Sequence, residues 1–216
     1  MRLCSYIVVH DYSFAPNPFG GYCTLAACTP NYQDVQLCRG DWLIGHATAA
    51  RGRGLIYAMQ VSEVRGFDDY FNDPRFEHKK PRFDRALREA CGDNIYYRGD
   101  GGTWVQHPTL FHGTPRNREQ DTKHPRVFIS EHFYYFGENA PPIPSEFGML
   151  IRDRQGCKCT FPDKLVDAFV DWLRATFTPG VHGDPRDLAQ AQMPQGPLPI
   201  RLYSLGRKPS SSPDTP

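Results

Sequence analysis

Proline and glycine interrupt this chain along most of its length: 20 Pro and 19 Gly are spread over 216 residues. Proline fixes φ and removes a backbone donor, and glycine loses entropy wherever it is ordered, so the pattern favours short strands and long ordered loops over a helical bundle. Hydrophobic residues make up 39% of the chain, with 14 Phe, 11 Tyr and 3 Trp, enough to bury a core and offset the entropy of ordering those loops. The length suits one large domain or two small ones. Charge is balanced, 25 Lys+Arg against 24 Asp+Glu, which excludes a histone-like, wholly electrostatic grip on DNA; nucleic acid would have to be held locally.

No stretch approaches the ~18 consecutive apolar residues of a membrane span. The apolar run that follows Arg2 stops at His10 and Asp11, short for a secretory h-region of about 7–15 residues, and reads instead as a first buried strand over 3–9. Seven cysteines are an odd count. Without an export signal they imply reduced thiols, a cytoplasmic location and no disulfides.

Residues 11–21 hold two prolines and two glycines but also Phe14 and Phe19, an apolar stiffened loop that must pack against something. A helical turn is expected at 23–28 and a short helix at 34–37. Strands at 42–46 and 55–64, joined across Arg51-Gly52-Arg53-Gly54, form the clearest hairpin pattern. Residues 84–91 suggest a helix, and 92–97 with 103–106 a second hairpin around Gly99-Asp100-Gly101-Gly102. Residues 112–125 are polar and aperiodic and read as an exposed or mobile loop. A buried strand at 127–130 precedes the aromatic run 131–137. One amphipathic helix covers 164–177, with Leu165, Val166, Phe169, Leu173 and Phe177 on a stripe and Asp163 as N-cap. Residues 207–216 form a low-complexity, flexible tail behind a single domain over 1–206.

Gly40-Asp41-Trp42, a strand, a glycine turn and Ile56-Tyr57-Ala58-Met59-x-Val61-x-Glu63-Val64 resemble the centre of PUA-like barrels, which include the EVE, ASCH and YTH domains. Asp11, Phe14-Ala15-Pro16-Asn17-Pro18-Phe19, Cys23-Thr24-Leu25-Ala26, Cys28, Pro30, Gly92-Asp93-Asn94-Ile95-Tyr96 and the 130–137 run resemble the family named the second nucleotide modification associated domain, over roughly Tyr6 to Pro185. The resemblance implies an α+β fold, a PUA-like mixed barrel of six or seven strands with flanking short helices and a C-terminal helix. It also implies a setting in phage and bacterial systems that make, read or restrict modified DNA bases.

A module that discriminates an altered base must unstack it, sandwich it on aromatic rings and read its edge with fixed polar groups. Tyr12, Phe14, Trp104, Tyr134 and Tyr135 are candidate platforms; Asp11, Asn17, Thr24, Asn94, Gln106 and Ser130 are candidate edge readers. Each has a structural alternative, because aromatic rings fill small cores and buried polar groups in a stiff loop tie that loop down. Asp93-Asn94 after Gly92 equally suits a turn closed on its own backbone. Lys79, Lys80 and Arg82 supply local positive charge for phosphate, or a solvated face.

Catalytic readings have less support. The His-x-Glu and Pro-Cys-x-x-Cys halves of a zinc deaminase are absent. Cys23 and Cys28 with Cys157 and Cys159 lack the usual knuckle spacing, so no metal is expected. Asp69 or Asp73 followed by Glu77-His78-Lys79 resembles a nuclease pattern but is broken by Pro74 and Pro81, and a Cys23 or Cys28 nucleophile would need His10 or His46 beside it. The expectation is therefore recognition of a modified base or nucleotide, without bond chemistry and without a cofactor. The alternative is an enzyme that processes a modified nucleotide at an Asp11-centred site.

Overall fold

The computed structural model describes residues 1–27 and 36–193. Five strands form a mixed sheet in the order β1 (Leu3–Val8), β3 (Trp42–Ala47), β4 (Leu55–Gln60), β9 (His132–Tyr135), β10 (Gly180–Val181). β1 runs parallel to β3, and β10 parallel to β9. A second, antiparallel sheet has the order β2 (Cys23–Leu25), β8 (Arg126–Ser130), β5 (Glu63–Gly66). β6 (Tyr96–Arg98) and β7 (Trp104–Gln106) form a separate hairpin. Among the described residues, four α-helices join them: α1 (Phe67–Asn72), α2 (Leu87–Ala90), α3 (Pro115–Asp121) and α4 (Asp163–Thr176).

The fold is mixed α+β, and the sheets of the expected bent barrel do not close on one another. β4 leads into β5, and β8 into β9, so at both places the chain passes directly from one sheet to the other and makes a corner. β1 and β10 are the edge strands of the first sheet and do not pair with each other. The single strand expected over 55–64 is cut at this corner, where the Val61 amide donates to Asp41 and the Ser62 amide to Ile129.

Strand alternation sorts the apolar residues into layers. Cys4, Tyr6, Val8, Leu43, Tyr57 and Met59 of the first sheet meet Cys23, Leu25 and Phe128 of the second. On the opposite face, Leu3, Trp42, Ile44, Ala58 and Tyr134 receive Val166, Phe169, Val170 and Leu173 of α4. On the far face of the second sheet, Val127 and Ile129 pack with Phe14, Phe67, Tyr70, Phe76 and Tyr96. The α4 stripe is thus as its spacing requires, but Pro162 is the cap residue and Asp163 the first helical one.

Three local expectations fail for identifiable reasons. Residues 23–25 are a strand, not a helical turn, because β8 offers its edge to them. Residues 112–125 contain α3, held by a capping box in which Thr114 and Asn117 exchange side-chain and backbone bonds. Cys4 and Cys159 are joined in a disulfide, which overturns the reading of all seven cysteines as reduced thiols; a pairing 155 residues apart has no local sequence signal. The 207–216 tail, Cys28 and the first half of the helix expected at 34–37 lie outside the described residues, and residues 36–37 are not helical. Among those described, no helix is long and apolar enough to cross a membrane.

Candidate functional site

A hollow of about 430 Å³ opens beside β1, within the volume range of small-molecule sites. Its wall is Tyr6, Ile7, Val8, Val9 and His10 of β1 and its continuation, Tyr12, Phe14 and Ala15 of the stiff loop, Leu110, Phe111 and His112, and Gln155. The rings are ordered against one another. His10 stacks on Tyr12 at 5.6 Å and 14°, and Tyr12 on Phe111 at 4.7 Å and 18°. Phe14 leans against both Phe111 and His112.

The far wall is held by a buried carboxylate. Asp121, at the end of α3, accepts from the Tyr96 hydroxyl at 2.9 Å and pairs with His112 Nδ1 at 2.6 Å. The Gln106 side chain donates to the His112 carbonyl at 2.5 Å. These contacts hold His112 at φ +57°, a backbone conformation uncommon for a side-chain-bearing residue and worth a functional reading. Thr109 Oγ1 donates to the Phe111 carbonyl and accepts from its amide.

The near wall is anchored through Asp11, whose side chain turns away from the hollow. It accepts from the Tyr135 hydroxyl at 2.6 Å and the Arg186 amide at 3.2 Å. The Asp11 amide donates to Asp187, which Arg51 grips on both oxygens at 2.7 and 2.8 Å. Burial raises the Asp11 carboxyl above its ordinary range against the pull of the Tyr135 bond. Burial also pushes on Asp187, but there the Arg51 guanidinium prevails and holds the carboxyl low.

Of the expected base contacts, Tyr12 and Phe14 line the hollow, Gln106 bonds the lining residue His112 from behind, and Asp11 lies in the chain between the lining residues His10 and Tyr12. The others lie elsewhere. Thr24 Oγ1 donates to Asp93 at 2.7 Å, as does the Tyr70 hydroxyl at 2.8 Å. Asn94 Nδ2 donates to the carbonyls of Tyr70 and Phe76. Gly92 ahead of them is packed so closely that an added Cβ would meet the Lys79 carbonyl, so this segment is a buried structural turn. Ser130 bonds the backbone of His132, and Trp104 packs edge-on to Phe67 beneath Arg98. Tyr134 and Tyr135 are core residues.

The phosphate candidates also serve other partners. Lys79 is 1% exposed, and its ammonium donates to both oxygens of Asn17 and to the Tyr22 carbonyl. Burial drives its pKa down to about 8. Lys80 pairs with Glu77 and Arg82 with Asp84. Sequence reasoning missed Phe111, His112, Asp121 and Gln155; the apolar Leu110-Phe111 pair just before a polar stretch was the one available signal for them.

The family model described as nucleotide modification associated domain 2 matches residues 1–192. The chain belongs to this family. The match takes in both walls of the hollow and every strand that carries them. No curated protein and no solved structure matches the chain. The family description associates the chain with nucleotide modification.

Proposed function

We propose that the hollow beside β1 receives one flat heterocycle, the modified base of a nucleotide or of a nucleotide unstacked from DNA. The observation that carries this reading is the row of parallel rings His10, Tyr12 and Phe111 at the rim of a 430 Å³ opening. Stacking on such a ring is worth about 1–3 kcal/mol per base and suits any π-face. Selectivity then rests on the few polar groups in the wall, His10, His112 and Gln155. The family description supports the same reading, as does a wall held rigid by Asp11 and Asp121 from behind, since a preorganised site loses less entropy on binding. Calorimetric titration of the full chain with nucleosides and oligonucleotides bearing natural and altered bases tests it. Saturable binding that prefers one altered base, and that is weakened in Phe111→Ala, supports the reading; equal binding across the panel, unmoved by that substitution, overturns it.

A second reading is favoured by one contact. His112 paired at 2.6 Å to a buried carboxylate is a positioned acid/base group in the wall of the hollow, so processing of the bound nucleotide centres on His112 rather than on Asp11. Product formation lost in His112→Gln, with binding retained, distinguishes it from recognition alone.

A further inference from the structure

Ser5 and Lys158 form an antiparallel bridge, exchanging backbone bonds of 2.9 and 3.0 Å along the open edge of β1. This register sets Cys4 opposite Cys159 and Tyr6 opposite Cys157. In extended backbone, residues two apart share a face, so Cys157 and Cys159 both turn toward the face that carries Cys4. The three Sγ atoms lie within 4.8 Å of one another, and Cys157 Sγ is 3.6 Å from Cys159 Sγ. A disulfide clamp between the two segments requires only two of these sulfurs. The third is explained by a different use.

Sulfurs bound to one tetrahedral zinc at about 2.3 Å are separated by about 3.8 Å, close to the 3.6 Å between Cys157 and Cys159. Thiolates are soft donors that select zinc and copper(I) over hard cations. We propose that, in the reduced protein, Cys4, Cys157 and Cys159 form a binding site for a thiophilic d¹⁰ cation, and that the Cys4–Cys159 disulfide is its oxidised, metal-free form. Three protein ligands leave a fourth position for water or another donor.

The interconversion balances. A phosphine reductant takes an oxygen atom from water, becomes the phosphine oxide, and leaves Cys4 and Cys159 as thiols. The cation then displaces protons from the thiols into solvent. The site adjoins the proposed base site without sharing its ligands: Tyr6 lies two residues from Cys4 and Gln155 two from Cys157, and both line the hollow. The cation fastens the Gln155 segment to β1 and so orders one wall.

The full chain, reduced with a phosphine, is titrated with Co²⁺. One equivalent is expected to give the visible bands of tetrahedral cobalt and a near-ultraviolet thiolate charge-transfer band, both displaced by Zn²⁺. Cys157→Ser is expected to abolish the charge-transfer band at stoichiometric cobalt, whereas Cys38→Ser leaves it intact. Absence of that band in the parent, or its full retention in Cys157→Ser, overturns the proposal. A second measurement does not depend on a variant's folding: alkylation of the parent followed by mass mapping is expected to show Cys4, Cys157 and Cys159 protected by Zn²⁺. Equal labelling of these three with and without Zn²⁺ overturns it.

Discussion

Lys79 Nζ lies 2.9 Å from Asn17 Oδ1 and 2.7 Å from the Asn17 carbonyl, so the apolar loop of residues 11–21 is tied from inside by a buried cation. Removing a charged donor leaves buried acceptors unsatisfied. Lys79→Met is therefore expected to lower unfolding free energy by about 3 kcal/mol, read by urea denaturation. Lys80→Ala, which loses an ion pair to the exposed Glu77 and a contact with the Phe71 ring, is expected to change it by about 1 kcal/mol. Similar small losses in both variants would contradict the assignment of Lys79 to the interior.

Alkaline stability carries a signature of Cys23. Burial raises its thiol from 9.0 to about 12, so the folded protein keeps a proton that the unfolded chain releases. That contribution is complete below pH 9 and is lost as pH rises from 9 toward 12. In matched unfolding curves, Cys23→Ala is expected to decline less steeply than the parent over this window. Parallel declines would refute it.

At the hollow, Phe111→Ala is expected to weaken binding of a flat heterocycle about 10- to 100-fold, the loss of one stacking partner. Because Phe111 is only partly buried, the melting temperature is expected to fall far less than in a core truncation. Calorimetry and thermal scans on the same samples separate the two effects.

Asp121 works through its neighbours, and its substitution should show it. Asp121→Leu leaves the Tyr96 hydroxyl and His112 without their shared acceptor, at a cost of about 2–3 kcal/mol in stability. Ligand affinity is expected to fall along with it, whereas Asp121→Asn, which keeps an acceptor oxygen, restores most of the stability. Full stability in the leucine variant would show that the pair does not hold the wall.

Regular elements were legible where pattern and context agreed. The α4 stripe, the β3–β4 pair and the β6–β7 hairpin follow from apolar spacing and glycine turns. Residues 23–25 did not, because only the edge of β8 decides their conformation. α3 was hidden by its polarity: a short helix held by a Thr114–Asn117 capping box needs no apolar stripe. At the site, the stiff loop announced itself through Tyr12 and Phe14, which line the hollow, and Asp11, which anchors it. Phe111 and His112 come from a segment about a hundred residues away, and nothing in their local spacing places them beside Tyr12.

The sequence by itself determined that this chain is built of short strands with one amphipathic helix, that its 11–21 loop is packed, and which family it belongs to, because proline, glycine and apolar spacing act over a few residues. Tertiary structure decided which buried polar groups face inward, which cysteines meet and which rings frame an opening. Those depend on sheet register, on strands crossing a corner and on edge pairing, in which Ser5 opposite Lys158 brings together sulfurs 155 residues apart in the chain.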